Sequence, residues 1–458
     1  PIIPYSLLVI HSPMSLVAYF ERFPLFRDHV LPLIASPTRR RLASGAFWGS
    51  VAGVATRAFT VVASFLLARI LGQEGFGEYG VINSTTAMIG GMAGLGIGTT
   101  VVKYVAELRD KDPTRTGRIL ALSTGVTVLS ATLYGSVFVI FAPWLATRTL
   151  AAPHLAPMLQ ISAITVALGV VNSVQSCSLA GCEAFRASSA INIVCTFTQT
   201  VLVLVGAWFW KVPGTVVALA LSMVVTVVVT RWTVAREWKR FDIKLNWREA
   251  ISEWRVLIRY SLPTFLSGVS TGPVVWGCSA LLANQPAGYA QLGIYNAANQ
   301  WQSVIQFLPA LIGTAVLPVM SERHGSGDIR GGLRVMKGMM GVTALIVIPV
   351  ALLICVCGPW IMGAYGASFV SGYRVLCLSV TTAALLAVMT PVGQYLAACG
   401  RMWTAFAMNT GWGACMLVSA WLMVRWGAEG LAGARLIAYL VHSVWTLGFV
   451  AFMKKEGV

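Results

Sequence analysis

Residues 214–232 read GTVVALALSMVVTVVVTRW, a stretch with no charged side chain before Arg231. An α-helix needs about 20 such residues to cross the hydrocarbon core of a bilayer. The whole chain has this character: of its 458 residues, 57% are hydrophobic and only 11% are charged, and the mean hydropathy is +0.75. Soluble domains are about 25% charged, so the composition excludes an ordinary soluble enzyme and indicates an integral membrane protein.

Similar apolar runs recur along the chain, separated by charged residues, proline or glycine. None shows the alternation of polar and apolar side chains that marks a membrane β-barrel. Each run therefore predicts a transmembrane helix, whose backbone groups are satisfied within the segment. We predict an all-α, polytopic fold with twelve spans, at residues 43–67, 79–100, 119–142, 157–179, 189–209, 214–232, 261–284, 292–318, 338–358, 373–397, 404–425 and 430–452.

The cations are distributed unevenly between alternate loops. Of the 33 Lys and Arg residues, 26 lie in one set of loops and 6 lie in the other set or at helix ends. Because cationic loops are retained in the cytoplasm, we expect both termini inside. The net charge of +17 then reflects topology and attraction to anionic membrane lipids, and we expect no nucleic acid partner.

The span pattern divides the chain into a cytoplasmic arm, an N-lobe, a basic cytoplasmic linker and a C-lobe, at residues 1–42, 43–232, 233–260 and 261–458. Six prolines and two short apolar patches distinguish the arm, and neither patch is long enough to span. The linker interleaves Trp238, Trp247 and Trp254 with Arg and Lys. That pattern favours an amphipathic helix at the membrane interface over a partner-binding site.

One motif occurs twice. Gly75–Asn83 reads GFGEYGVIN and Gly288–Asn296 reads GYAQLGIYN, at the same loop-to-helix junction in each lobe. This similarity maps span one onto span seven and span two onto span eight, which gives two six-helix lobes in the same orientation. Many transporters place their substrate path at such a repeat interface. Chance similarity between glycine-rich apolar segments is the alternative.

Arg57 lies near the centre of span one, where a cation costs about 2.5 to 3.5 kcal/mol on insertion scales. At 100° per residue it shares one face with Ser50, Gly53, Thr60 and Ser64. None of the 16 acidic residues lies in the middle of a span. Such an interior suits an anionic cargo, for which a phosphate or pyrophosphate bound by arginine is the natural candidate. The competing role for Arg57 is hydrogen bonding to backbone carbonyls at a contact between helices.

Amides and hydroxyls form clusters on the faces of several spans, most densely in span eight. They suit sugar hydroxyls, which both donate and accept hydrogen bonds, although helix-to-helix hydrogen bonding competes with this role. Nucleophile motifs, phosphate loops and metal-ligand spacings are not visible, so we predict neither an enzyme nor a cofactor. Besides Arg57, the candidate substrate-binding residues are Thr60, Ser64, Asn83, Asn172, Gln175, Asn192, Gln199, Asn296, Asn299, Gln300, Gln306 and Gln394.

Five stretches form a recognisable set: RRLASGAFWGSVAGVATRAF at 40–59, LLARILGQEGFGEYGVINS at 66–84, SLAGCEAFR at 178–186, SLPTFLSG at 261–268 and LGIYNAANQWQSVIQFLP at 292–309. Together they resemble the polysaccharide flippases, which are the Wzx-type exporters of O-antigen and exopolysaccharide. These belong to the larger group that includes the MATE drug exporters and the lipid II flippases. The resemblance covers nearly the whole chain after residue 40.

The resemblance implies two MATE-like lobes around a cavity that opens alternately to either side of a bacterial inner membrane. Its implied cargo is an undecaprenyl-pyrophosphate-linked oligosaccharide, an O-antigen or exopolysaccharide repeat unit. Other membrane proteins of polysaccharide assembly are further implied partners. The lack of a carboxylate within the spans departs from the cation-coupled MATE exporters. Two alternatives stay open: a MATE-type cation-coupled drug antiporter, and a polymerase or ligase of the same pathway, for which the outer loops are short.

Overall fold

The computed structural model describes residues 37–261, 265, 271–307, 309–310, 320–323 and 328–456. Within these ranges the chain is helical and contains no β-strand. The longer helices are Pro37–Ala93, Ile97–Leu108, Pro113–Trp144, Ala156–Gly181, Phe185–Arg240, Thr271–Ala283, Gly288–Ile305, Ile329–Val356, Gly358–Tyr365, Tyr373–Ala398, Met402–Met423 and Gly427–Glu456. The prediction of an all-α fold is confirmed.

The chain divides into two units, Pro1–Val51 and Ala52–Val458. In the first unit, Phe47 and Trp48 contact each other edge to face, with ring centroids 5.6 Å apart. The second unit contains residues of both predicted lobes and all the contacts described below. Residues 1–36 of the predicted arm lie outside the described residues, and residues 37–42 belong to the first helix.

Two of the long helices each contain two predicted spans joined without a loop. Spans one and two meet at Gly72, whose φ of 73° is a left-handed conformation that glycine adopts without steric cost. Spans five and six meet at Trp210 and Lys211, and Lys211 has a φ of 52°. Each junction therefore interrupts the helix within one or two residues, and after the second one spans five and six touch where Gly206 faces Gly214.

Each predicted span overlaps a helix in the described part of the chain. By length and composition, 7 segments could cross a membrane, and the longest of them, Phe47–Ala93, Phe185–Arg240 and Trp403–Met453, have 47, 56 and 51 residues. At 1.5 Å per residue, each of these three is long enough for two crossings of a core about 30 Å thick. With the shorter helices Thr271–Ala283 and Gly288–Ile305, the architecture is consistent with twelve spans.

The ends of some helices differ from the predicted ends of the spans, because a change of backbone conformation ends the helix while the sequence is still apolar. Span two was predicted to reach residue 100, yet its helix ends at Ala93. Leu95 and Gly96 have φ values of 47° and 65°, which interrupt the helix before it resumes as Ile97–Leu108. Span eight begins at Gly288, four residues before its predicted start, because its first turn is polar but helical.

The helices pack as two groups that share one core. Span four lies between spans three and five, and span ten contacts spans eight, nine and twelve. Buried side chains of both groups, among them Phe138, Leu282 and Tyr365, belong to one continuous apolar cluster. The outward faces are also apolar: Ile140 is 72% exposed and Leu345 is 77% exposed. Large exposed apolar surfaces of this kind mark contact with lipid.

Candidate functional site

One set of contacts between the two lobes lies at one end of the helices, which we call the Tyr365 end; others lie farther along, between Thr85 and Trp276 and between Thr100 and Ser261. The Tyr365 end comprises the junction at Gly72 and the turns at residues 145–155, 284–287 and 357–372. Four side chains, two from each lobe, donate hydrogen bonds across the lobes to main-chain carbonyls. The pairs are Arg69 Nε to Ala364 O at 2.8 Å, Gln73 Nε2 to Ser368 O at 2.6 Å, Asn284 Nδ2 to Thr149 O at 2.7 Å and Tyr289 OH to Leu150 O at 2.7 Å.

An aromatic cluster fills the space behind these hydrogen bonds. The Tyr365 side chain is fully buried, and its ring centroid lies 4.5 Å from that of Phe65, 6.4 Å from that of Phe76 and 5.9 Å from that of Phe369. Ser64, a candidate substrate contact, lies here: it is 8% exposed, and its Oγ is 3.3 Å from the Tyr365 hydroxyl. In this conformation Ser64 joins the lobes.

The two copies of the repeated motif pack directly against each other at this end. A Cβ added to Gly77 would lie 1.8 Å from the Tyr289 carbonyl oxygen, and one added to Gly293 would lie 2.1 Å from the Gln73 carbonyl oxygen. These glycines let the backbones of spans two and eight touch. The candidate Asn296 belongs to the same contact, since a Cβ on Gly80 would overlap its amide.

Arg57 bridges span one and span eight. Its NH1 donates to Gly53 O at 3.1 Å and its Nε donates to Ser303 O at 3.3 Å. The guanidinium carbon lies 4.1 Å from the centre of the Phe307 ring, a cation–π contact. The structure thus shows the backbone hydrogen bonds of the competing role, and it also leaves NH2 without a hydrogen bond to any described residue. An arginine has five N–H donors, so Arg57 retains capacity to bind an anion.

Gln300 and Gln306 lie one turn on either side of Ser303 in span eight, so their side chains project on the face that carries the Arg57 contact. Both are half-buried. The Gln306 amide nitrogen is enclosed and makes no hydrogen bond to the described residues. Arg57, Gln300 and Gln306 are therefore the predicted site residues that the structure brings together.

Asn299 faces a second arginine, Arg435 of span twelve. Arg435 NH1 donates to Asn299 Oδ1 and, at 3.4 Å, to the Tyr295 hydroxyl, while its NH2 donates to Gln302 Oε1. None of these partners is acidic. Asn299 is the predicted site residue of this cluster, and Arg435, a cation five residues into the predicted span 430–452, is a second interior cation that suits an anionic cargo.

The remaining candidates are dispersed. Asn172 and Gln175 each hold a buried side-chain oxygen with no described partner, and Gln394 is half-buried in span ten. Thr60 is exposed and donates to Thr56 O at 2.8 Å. The others are exposed, at Asn83, Asn192 and Gln199.

Residues 42–324 match the protein family described as polysaccharide biosynthesis protein. The EPS I polysaccharide export inner membrane protein EpsE of Ralstonia solanacearum is 26% identical over 422 residues, which cover 88% of this chain and 92% of the relative. The protein of the same name in Ralstonia nicotianae is 23% identical over 407 residues, covering 86% and 90%.

Two solved structures share the fold. An inward-facing multidrug resistance MATE family transporter of the MOP superfamily aligns with a TM-score of 0.71 at 14% identity, over 88% of this chain and 96% of that one. The lipid II flippase MurJ, in an inward closed conformation, aligns with a TM-score of 0.70 at 12% identity, over 88% and 87%. The predicted MATE-like architecture is confirmed by both.

Proposed function

This chain belongs to the polysaccharide biosynthesis protein family, and from that premise we propose that it is a flippase for lipid-linked oligosaccharide in the bacterial inner membrane. Its full-length relatives are named as inner membrane proteins of polysaccharide export, and a lipid II flippase has the same fold. The cargo is an undecaprenyl-pyrophosphate-linked repeat unit of O-antigen or exopolysaccharide, and it moves by alternating access.

The observation that carries the proposal is Arg57, a cation inside a predicted span whose NH2 makes no hydrogen bond to a residue that the structure describes. Hydrogen bonds to Gly53 O and Ser303 O hold the guanidinium plane in place, and NH2 is left to bind a pyrophosphate oxygen. A charge-assisted hydrogen bond of this kind is about twice as strong as a neutral one. Gln300 and Gln306, on the same face of span eight, bind sugar hydroxyls as donors and acceptors.

The contacts at the Tyr365 end support a conformation that is closed on the outer side. In this proposal both termini are cytoplasmic and the Tyr365 end is outside, which the excess of cations in one set of alternate loops supports. With its outer end closed, the protein receives cargo from the inner leaflet. Export then requires the four cross-lobe hydrogen bonds and the aromatic cluster to separate. Anionic lipids of the inner leaflet and other membrane proteins of polysaccharide assembly are its further partners.

The competing function is a cation-coupled drug antiporter, which needs a carboxylate within the spans to carry its coupling ion. All 16 acidic residues lie in loops or at the edges of spans. Glu78, near the outer end, accepts from His154 at 2.6 Å, which engages it in a local pair. The acidic residues therefore favour the flippase.

The test is complementation of a strain that lacks this protein, scored as surface polysaccharide at matched membrane protein levels. We expect Arg57→Ala and Arg57→Glu to abolish export and Arg57→Lys to retain part of it, since lysine keeps the charge but not the planar fork. Arg425→Ala is the matched control, because Arg425 also lies over an aromatic ring, 4.5 Å from the centre of Trp426. Normal export by Arg57→Ala would refute the role of Arg57, and drug resistance without an effect on polysaccharide would favour the antiporter.

A further inference from the structure

The linker after span six runs along the side of span three. A Cβ on Gly117 would lie 1.9 Å from the Lys244 carbonyl oxygen, so the two backbones touch. Farther along, a Cβ on Gly125 would lie 3.4 Å from the Trp247 ring. Gly125 lies within the predicted span 119–142. The linker therefore reaches the depth at which span three enters the bilayer, instead of standing above the helix end.

Two acidic residues of the linker clamp it to span three. Arg115 donates to both carboxylate oxygens of Glu253, from Nε at 3.0 Å and from NH2 at 3.3 Å. Arg118 NH1 donates to Glu249 at 3.0 Å, and its Nε lies 3.6 Å from Glu253. Glu253 is only 8% exposed. The acidic face of the linker is thus turned towards the protein.

The opposite face of the linker is apolar and exposed. Trp247, Ile251, Trp254 and Ile258 are 56%, 75%, 49% and 52% exposed. Trp247 lies in a bend, and the other three lie in the consecutive short helical turns Ala250–Glu253, Trp254–Val256 and Leu257–Ser261. We call these four exposed side chains the apolar stripe. A helix on a soluble protein buries its apolar stripe and exposes its charges. This segment has the reverse arrangement, which is the arrangement that a lipid environment stabilises.

Cations flank the stripe. Arg248 and Arg255 are exposed, and neither makes an ion pair with a described residue. The acidic residues that could neutralise them are engaged elsewhere: Glu249 and Glu253 pair with span three, Glu237 pairs with Arg240, and Asp242 pairs with Lys244. The exposed surface therefore combines an apolar stripe with uncompensated positive charge.

We propose that residues 244–258 form an in-plane anchor for anionic phospholipid. The stripe enters the boundary between headgroups and acyl chains, and Arg248 and Arg255 bind the phosphates of anionic headgroups. Because the ion pairs to Arg115 and Arg118 join the anchor to span three, it holds the N-lobe against the leaflet. This inference concerns a surface remote from Arg57 and does not depend on the identity of the cargo.

The experiment uses the full chain in phosphatidylcholine vesicles that contain a trace of photoactivatable phospholipid. The probe is a phosphatidylglycerol with a photoactivatable acyl chain, and the comparison is a phosphatidylcholine with the same chain. Cross-linked peptides are mapped by mass spectrometry. We expect the peptide containing residues 247–258 to be labelled several times more by the phosphatidylglycerol probe than by the phosphatidylcholine probe.

Two double variants test the headgroup contact. Arg248→Gln with Arg255→Gln should make labelling by the two probes equal, while the apolar stripe stays in lipid. Arg330→Gln with Arg334→Gln removes the same charge from exposed positions in the C-lobe and should preserve the preference. If neither probe labels residues 247–258, the stripe does not lie in lipid and the proposal is wrong. Equal labelling of the unaltered protein by both probes would overturn the assignment to anionic lipid.

Discussion

Replacing Gly77 with alanine should open the Tyr365 end. The added Cβ would lie 1.8 Å from the Tyr289 carbonyl oxygen and 3.0 Å from the Gly293 nitrogen, and both are backbone atoms that no rotamer change can move. Carbon and oxygen atoms pack at about 3.3 to 3.6 Å, so spans two and eight would have to separate by about 1.5 Å. The proposed export cycle already requires spans two and eight to separate at the Tyr365 end. The clash is therefore present only in the closed conformation, and the substitution destabilises that conformation alone.

Overpacking of this kind costs about 1 to 3 kcal/mol. Applied to the closed conformation alone, it shifts the equilibrium towards the open one by about 5- to 150-fold. A suitable reporter is Ser64→Cys, because Ser64 is 8% exposed and lies against Tyr365 in the closed conformation. Labelling by a water-soluble maleimide in detergent, with the labelled peptide identified by mass spectrometry, should accelerate by the same factor.

Gly90→Ala is the matched control. Gly90 lies in the same helix, and an added Cβ there meets no atom within 4 Å. Labelling at position 64 should therefore match that of the Ser64→Cys parent. If Gly77→Ala left the labelling rate unchanged, or if Gly90→Ala raised it equally, the backbone contact between the repeated motifs would not control the closed conformation.

Three further predictions concern other parts of the molecule. Arg435→Met should lower the melting temperature of the protein in detergent, because the side-chain oxygens of Tyr295, Asn299 and Gln302 lose their donor. Each unsatisfied buried group costs about 1 to 3 kcal/mol. An unchanged melting temperature would contradict this prediction. Arg115→Glu and Glu253→Arg should each increase hydrogen exchange in residues 244–258, and the double swap should restore protection, with a coupling energy of about 1 kcal/mol. Phe307→Leu should raise the cargo concentration that gives half-maximal transport in a vesicle translocation assay by about 2- to 30-fold, since a cation–π contact contributes about 0.5 to 2 kcal/mol. An unchanged concentration would show that the Phe307 ring does not position Arg57.

The spans could be predicted from the sequence because bilayer thickness dictates the length of an apolar helix. The ends of the spans could not be predicted, because hydropathy does not reveal that a residue within an apolar run, such as Leu95, adopts a left-handed conformation. The Gly288 end of span eight was missed for a related reason. Its first turn contains Gly288, Tyr289 and Gln291, so its composition resembles that of a loop, although Tyr289 bonds to the other lobe and Gln291 bonds to Ala428 N.

The site was predictable only in part. Arg57 stands out in the sequence because a cation within a span is costly, and its role in cargo binding stays a prediction. The engagement of Asn299 with Arg435, 136 residues away, depends on how span twelve packs on span eight, which helical periodicity cannot reveal. Their similarity predicts that the two motifs are copies of each other, whereas their mutual contact could be seen only in the structure.

Four of the cross-lobe hydrogen bonds at the Tyr365 end, those donated by Arg69, Gln73, Asn284 and Tyr289, have main-chain carbonyls as acceptors. Every amino acid carries the same carbonyl, so residues 149, 150, 364 and 368 can change in evolution without loss of the acceptor. Correlated substitutions between the two lobes would therefore leave no trace of these pairs in related sequences. One lobe can adapt to a new cargo while the other stays as it is, and closure survives the divergence.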